Sequence, residues 1–452
     1  MTDTSVARGQ EAKRYPLSFT QESFLAMDKG DDGGPFASRF VIVCALRITG
    51  HVDLAVLQGA LDDVVARHEL LRTVVVRDAG PPYQMVCPPC QVPLEVRDLP
   101  PVTGRSRDMV IQELRVEVQA GTISTREVPL LRALLCRFDD RDSVLFLTAH
   151  HSVCDGWSAG VILRDLGAFY AARVSGATPK LPPMRQYREY AQWQRASTSD
   201  DGALRYWAEK LSGAREFVLP NDHGQPKCYS RPFSLHVFSI EADTMTAAAD
   251  LAAATRGTRF TVMISAIYVL AHRLTGATDL AVNAVTAGRN ELQFHNTMGS
   301  FLNIVPLRTE IAGCTSFREI VLATRETFID AMAHEVPAEA IVQMSPEYIL
   351  PREDTRMSPL LIVQPSQYGE MSFPIAEGAR LVGEVLLEET ETSDIPGGTV
   401  WNLGMRPDGS LGGGVQFNLD EFAACTARSW TAGLKQILAS AVRHPDQDWR
   451  RL

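Results

Sequence analysis

The sequence predicts an α/β fold, and three features of it do so. The chain has 452 residues, a length that as a prior means two or three structural units. Up to residue 175, strand-like and helix-like stretches alternate, and a β-sheet covered by helices is the natural packing for such a chain. Val144 to Ala149 is an almost wholly apolar run of strand length. It leads through a short turn at Asp155-Gly156 into apolar residues at helical spacing, Ile162, Leu166 and Phe169. His150 and His151 stand where that strand ends.

The elements follow in order. Residues 1–14 are polar and read as a disordered leader. Residues 15–27 read as a short helix with Ser18 as its cap, and the Gly/Asp-rich stretch 30–35 as a loop. A strand is expected over 40–48. An amphipathic helix runs from Asp53 to Arg67, with Leu54, Leu57, Leu61, Val64 and Val65 on one side. A strand starts at Val74, Asp108 to Gly121 is helical, and Leu130 to Phe138 pairs with Val144 to Ala149 as a hairpin across 139–142. Ser175 to Pro183 is the strongest cluster of helix and strand breakers, which sets the expected boundary between residues 178 and 179. Beyond it come the aromatic stretch 187–193, a helix from Ala203 to Leu211, a loop over 220–226 and an alternating strand from Phe233 to Ile240. An apolar helix pair over Thr244–Thr275, a strand from 280 into a turn at 290, and a strand-like segment over 298–308 follow. A helix over Ser316–Ala333, strands at Leu360–Val363, Val400–Met405 and Gly414–Asn418, and a closing helix from Leu419 to Val442 complete the chain. Both halves share this mixed texture, which fits two similar lobes.

Composition narrows the function. Hydrophobic content of 45 % and charged content of 22 % are those of an ordinary globular protein. A net charge of −10, with no run of Lys or Arg, argues against a nucleic-acid partner. The N-terminus has no apolar signal core, and Thr261 to Ala271 is about half of the ~20 apolar residues a membrane span needs, so the expectation is a cytoplasmic protein without a membrane partner. Cys87 and Cys90 form a C-x-x-C with no second pair at zinc-site spacing. His334-Glu335 lacks the second histidine of a zinc-protease motif, and Asp31-Asp32 lacks calcium-loop spacing. No metal site is expected. Glu388 to Thr392 reads as a solvated loop.

His150-His151-x-x-x-Asp155-Gly156 carries the chemistry. An imidazole titrates near neutral pH. Placed beside the N-terminus of a helix it is kept neutral, as a base must be. Gly156 permits close backbone approach, so that its N–H could face a developing oxyanion. A His-His pair taken alone is more often a pair of core histidines bonded to backbone. The aspartate four residues on, the Gly-Trp-Ser that follows and the strand–turn–helix context weigh the other way.

These residues resemble the core motif of the condensation domains of non-ribosomal peptide synthetases, within the chloramphenicol acetyltransferase-like superfamily. Ser18-Phe-Thr-Gln21-Glu-Ser-Phe24 resembles that family's first motif, and Arg67-His-Glu-Leu-Leu-Arg72-Thr73 its R-H-E-x-L-R-T. Tyr187-Arg-Glu-Tyr190-Ala-Gln-Trp193, Gly288-Arg289 and Met298-Gly299-Ser-Phe301-Leu-Asn303 are similar to later motifs. Pro359-Leu360 and Phe417-Asn418 match weaker ones. The order holds from residue 15 to 440. Phe24-Leu25 departs from the Arg/Leu-Trp pair frequent in the first motif. The absence of an epimerisation segment near Gly288, and of the aspartates of the heterocyclisation variant, favours condensation.

The resemblance implies two chloramphenicol acetyltransferase-like lobes, residues 1–178 and 179–452, in a V-shaped pseudo-dimer with a tunnel at the interface. It implies that His151 is the catalytic histidine, as base or as positioning group, with Gly156 at the oxyanion. Asp155 would hold the turn by pairing with an arginine, for which Arg67 is the expected partner, and His150 and Trp157 would be structural. Ser158, Ser300 and Asn303 would lie near the substrate channel. No bound cofactor is expected; the donor would be an acyl or aminoacyl thioester on the phosphopantetheine arm of a carrier protein supplied in trans to a free-standing enzyme. A small-molecule acceptor would attack it through a hydroxyl or an amine. An acyl-CoA-dependent O- or N-acyltransferase and a non-catalytic docking domain are the alternatives.

Overall fold

A computed structural model describes residues 13–452 apart from 32, 79, 197–200, 225, 227–232, 350–356, 367–370, 377–378, 385–397 and 407. Residues 1–12 of the leader expected over 1–14, Asp32 and the acidic stretch 388–392 lie outside the described residues, while Arg14 is in a strand. The chain divides into two units. One is Met1–Thr198 with Arg289–Phe301 and Met371–Val385; the other is Ser199–Gly288, Leu302–Glu370 and Leu386–Leu452. A single cut after residue 178 therefore misplaces several segments. Tyr187, Tyr190, Phe294, Met298 and Phe301 are buried in the first unit's apolar core, so packing assigns them there.

The first unit opens with β1 (Arg14–Tyr15) and α1 (Phe19–Ala26). Ser18 caps α1 in a capping box with Gln21, as its position predicts. β2 (Val41–Thr49) leads to α2 (Leu54–Arg67), capped by Asp53 with Leu57, Leu61, Val64 and Val65 buried. β3 (Thr73–Val76), β4 (Tyr83–Val86), β5 (Leu94–Asp98) and α3 (Arg107–Gln119) follow. Then come the hairpin of β6 (Leu131–Asp139) and β7 (Asp142–His150), α4 (Gly156–Ser175) and α5 (Tyr187–Ala196). β7 lies between β2 and β6, antiparallel to both, and every residue from Ser143 to His150 is buried. A strand covered on both faces needs an unbroken apolar run, which is how its sequence reads. α4 stops at Gly176, a left-handed cap at φ 67° whose N–H donates to the Ala172 carbonyl.

The second unit contains α6 (Asp201–Lys210), β8 (Val218–Pro220), β9 (Phe233–Ile240), α7 (Ala242–Ala254) and α8 (Arg259–Thr275). β10 (Asp279–Thr286), β11 (Asn303–Glu310), α9 (Phe317–Ala333), α10 (Ala338–Met344) and β12 (Met357–Ser366) come next. β13 (Met371–Ala376) and β14 (Ala379–Glu384) return to the first unit, where β14 pairs with β2 in a sheet ordered β13-β14-β2-β7-β6-β5. β15 (Thr399–Met405), β16 (Leu411–Asn418) and α11 (Ala424–Arg443) complete the second unit, whose sheet runs β11-β10-β12-β15-β16-β9. α8 is buried on all sides from Phe260 to Ala271, the signature of a core helix. Among the described residues no helix is long and apolar enough to cross a membrane.

Two expected boundaries move. The closing helix starts at Ala424 because the preceding residues fold back on Asn418, whose carbonyl accepts the Glu421 and Phe422 N–H groups. The strand-like segment over 298–308 becomes a strand only at Asn303, for a reason that belongs to the site.

Candidate active site

Both histidines of the motif are pinned by the ends of the neighbouring strands. His150 pairs with Val41 in the register of β2 and β7. The His150 N–H donates to the Leu130 carbonyl at 3.2 Å, and the His151 N–H donates to the Phe40 carbonyl at 2.8 Å. The turn is thus held on both sides by backbone.

The two rings are then treated differently. His150 is fully buried. Its Nδ1 accepts the Ser152 N–H at 3.1 Å and lies 2.8 Å from the Ser152 hydroxyl, while its Nε2 lies 2.9 Å from the Ala37 carbonyl. A carbonyl can only accept, so the proton sits on Nε2 and the tautomer is fixed. Burial pushes its pKa down to about 4. Both ring nitrogens of His150 are thus engaged inside the fold.

His151 is half-buried. Its ring stacks on Phe40 with centroids 4.5 Å apart and planes 11° from parallel. Its Nδ1 is buried and closes no hydrogen bond of good geometry. Burial lowers its pKa, with the nearby His151 and Cys154 carbonyls and the Asp155 carboxylate in partial opposition. The ring is neutral at neutral pH, which is the state a base requires.

Asp155 ends the turn. One of its oxygens accepts the Ser158 N–H at 2.7 Å, capping α4, and the other accepts the Phe301 N–H at 3.1 Å. Its arginine is Arg289, not the expected Arg67: Arg289 Nη2 lies 3.2 and 3.3 Å from the two carboxylate oxygens. Arg289 also donates to the Phe294 and Thr297 carbonyls and to the Ser158 hydroxyl, and its guanidinium lies 3.9 Å from the Phe301 ring centroid. Arg67 instead donates to Asp165 at 2.9 Å, and His68 and Arg164 bind the same carboxylate. The physical reason is distance along α4. Asp155 and Asp165 are ten residues apart, about 15 Å at 1.5 Å per residue, and Arg67 reaches the second of them.

The Arg67–Thr73 segment is a framework element. Glu69 accepts from Arg188 of α5 at 2.6 Å, and Arg72 caps the end of α2 by donating to the Val65 and Ala66 carbonyls. Tyr187 joins three motifs. Its hydroxyl is 2.8 Å from the Ser18 hydroxyl and donates to the Ser300 carbonyl, and its ring lies so close to Gly299 that a Cβ there would sit 2.1 Å from it. Gly299 also bonds Ser158 through both its N–H and its carbonyl. The backbone of 299–301 is therefore committed to Ser158, Tyr187 and Asp155, and this is why no strand forms before Asn303.

The remaining expected residues fall as follows. Gly156 is the half-buried first residue of α4; the cap takes the N–H of Ser158, and Ala159 donates to the Asp155 carbonyl. Trp157 is exposed, with its indole N–H on the His295 carbonyl at 2.8 Å. Ser158 is fully buried and its hydroxyl is consumed by Gly299 and Arg289, which makes it scaffold instead of channel lining. Ser300 is buried too. Asn303 belongs to the second unit, where its side chain donates to Glu335 and to the Val336 carbonyl and accepts the Ala338 N–H. Cys154 is buried beside the turn, and burial raises its thiol pKa well above the ordinary range. Cys87 and Cys90 are free thiols, and among the described residues no three His, Cys, Asp or Glu side chains converge as metal ligands. Sequence reasoning missed two partners. Asp165 is the only acidic residue in α4 and stands beside the buried Leu166, and that mismatch was a usable signal. Arg289 stood in a recognised motif, but nothing in one sequence pairs it with Asp155.

Comparison with known proteins agrees with this geometry. The condensation domain family model matches residues 11–452. The chain is 32 % identical to the probable non-canonical nonribosomal peptide synthetase CymA of Salinispora arenicola over 96 % of its own length, and spans 6 % of that relative's length. It is 30 % identical to the chondramide synthase cmdD of Chondromyces crocatus over 92 % of its length, and spans 10 % of that one. Among solved structures it resembles the SgcC5 protein of Streptomyces globisporus at 36 % identity and TM-score 0.87, covering 96 % of this chain and 100 % of that one. That structure is a complex with (R)-(−)-1-(2-naphthyl)-1,2-ethanediol and sucrose. The first condensation domain of the calcium-dependent antibiotic synthetase shares the fold, with TM-score 0.78 at 19 % identity over 97 % of this chain and 99 % of that one. With a family match over nearly its whole length and the family's histidine turn intact, the chain belongs to the condensation domain family.

Proposed function

We propose that this protein is a free-standing condensation enzyme. It transfers an acyl or aminoacyl group from the phosphopantetheine thioester of a carrier protein to the hydroxyl or amine of a small acceptor. The observation that carries the reading is His151: a half-buried neutral imidazole, held by backbone at the end of β7 and followed by the N-terminus of α4.

The acceptor O–H or N–H gives its proton to His151 as its heteroatom attacks the thioester carbon. The oxyanion that forms is met by the amide at Gly156, one of the first-turn helix donors that the Asp155 cap leaves to other partners. Collapse breaks the C–S bond, and the departing thiolate takes the proton from His151 to leave a free thiol. Ester or amide and holo-carrier are the products. Attack is direct: the one thiol in the turn, Cys154, is buried and protonated, which removes it as a nucleophile. Asp155 and Arg289 hold the turn and take no part in proton transfer.

A hydroxyl acceptor, and hence an ester, is supported by the SgcC5 protein, which is matched over its full length and was solved with an aryl diol. The donor and acceptor are identified by intact-protein mass spectrometry. A carrier loaded with an aminoacyl group, and in parallel the corresponding acyl-CoA, is mixed with enzyme and a panel of aryl diols, alcohols and amines. Acyl loss from the carrier matched by new ester is the expected result. Turnover from the CoA thioester alone would replace this reading with that of a CoA-dependent acyltransferase.

A further inference from the structure

In a His-based acyl-transfer site a carboxylate commonly orients the imidazole through the nitrogen that does no chemistry. His151 lacks that device: its buried Nδ1 has no hydrogen-bond partner of good geometry, and the motif carboxylate, Asp155, is occupied by Arg289, Ser158 and Phe301. The His151 and Cys154 carbonyls lie near the ring but close no bond of good geometry with it, which leaves its plane to packing. We propose that Phe40 is the positioning residue of the catalytic histidine, fixing the His151 imidazole by a parallel ring stack in place of a carboxylate.

One residue holds His151 twice. The Phe40 carbonyl accepts the His151 N–H at 2.8 Å and fixes the main chain; the Phe40 ring lies 4.5 Å from the imidazole at 11° and fixes the side chain. The stack has its own support. Phe24 of α1 meets Phe40 edge-on at 6.4 Å and 90°, and Phe36 meets Phe24 edge-on at 6.4 Å and 89°. The Arg77 guanidinium lies 4.6 Å from the Phe36 ring centroid, and Arg77 is itself ion-paired to Asp28 and Asp31. A row of aromatic rings therefore runs from this ion cluster to the catalytic imidazole. A flat face against the ring restricts its rotation about χ2, which for imidazole is a broad and weakly determined torsion. The same face interacts favourably with the imidazolium that exists while His151 holds the acceptor's proton. Phe40 thus acts on both the direction of the basic nitrogen and the charge it gains.

The inference rests on His151 being the base of the proposed reaction, and its test has one readout that needs no substrate. Histidine labelled with 13C at Cε1 is introduced, and the His151 resonance is assigned with His151→Ala. In the wild type and in Phe40→Tyr the stacked phenyl ring shifts the His151 Hε1 signal upfield; in Phe40→Leu that shift is lost. Turnover is expected to follow, with kcat in Phe40→Leu about 10- to 100-fold down, KM within about twofold, and Phe40→Tyr close to wild type. Phe40→Met fills the volume without a flat face and replaces Phe40→Leu if that variant does not fold. A His151 signal unchanged in Phe40→Leu, or a lost shift with unaltered kcat, overturns the proposal. If the wild-type enzyme turns over no donor, the functional reading fails, and the ring-current shift still decides whether Phe40 holds the imidazole.

Discussion

Helix α4 and its N-cap present two buried aspartates, each paired with arginine, and they do different work. Asp155, at the N-terminus, binds Arg289, whose side chain is 1 % exposed. Asp165, ten residues on, binds Arg67 and Arg164, whose side chains are 22 % and 31 % exposed, together with the fully buried His68. Both clusters tie separate segments of the first unit to the same helix. The difference lies in what remains when the carboxylate is removed. Arg67 and Arg164 can turn toward water; Arg289 cannot, and would remain as an uncompensated charge in the core. The first pair is a lock on the histidine turn and the second a strut behind it.

That contrast can be broken in several ways. The largest effect is expected from Asp155→Ala, which should cost ~3–5 kcal/mol of unfolding free energy and abolish turnover, because it strands a buried guanidinium and removes the α4 cap. Asp165→Ala should cost less, about 1–3 kcal/mol, since its arginines re-solvate. Urea denaturation of the two variants measures the difference, and equal losses would dissolve the distinction.

An effect that depends on pH separates His150 from the exposed surface. Its folded pKa of about 4 lies below the ordinary value of 6.5. The unfolded state therefore binds more protons between those two values, so stability is fully present above pH 6.5 and is lost as pH falls toward 4. The loss attributable to this group is on the order of 3 kcal/mol. His150→Gln should flatten the stability profile across that window, as read by denaturation at a series of pH values.

Pairing itself is tested by double-mutant cycles. Arg289→Met and Asp155→Asn should couple by about 1–3 kcal/mol, whereas Arg67→Met and Asp155→Asn should be additive within about 0.5 kcal/mol. Coupling in the second pair would restore the partnership that the family resemblance implies. The smallest change is expected from Trp157→Phe, which forfeits the hydrogen bond to the His295 carbonyl but keeps an aromatic ring beside His295 and Arg289, and should cost about 1 kcal/mol with little effect on turnover.

These clusters also mark where the sequence is readable. Strand β7 was legible because it is buried on both faces, α2 because its apolar residues recur at helical spacing, and α8 because it is an apolar run too long for a strand. His151 and Asp155 were legible because strand, turn and helix fall within one short stretch. The partner of Asp155 was not, since Arg289 lies 134 residues away and is brought in by the fold. The segment 298–302 misled for the same reason. It is apolar and extended enough to suggest a strand, but its backbone groups are spent on Asp155, Ser158 and Tyr187. Phe40 gave no signal at all, because a ring at the start of a strand looks like any other core residue until the register of β2 and β7 sets it beside His151.

The most direct test of the account is single-turnover acyl transfer from a loaded carrier by the wild type and by His151→Ala and His150→Gln, each checked for folding. The account expects His151→Ala to lose about 10²–10⁴-fold in rate while remaining folded, and His150→Gln, where it folds, to lose far less. A His151→Ala enzyme that turns over within about threefold of the wild type would contradict it.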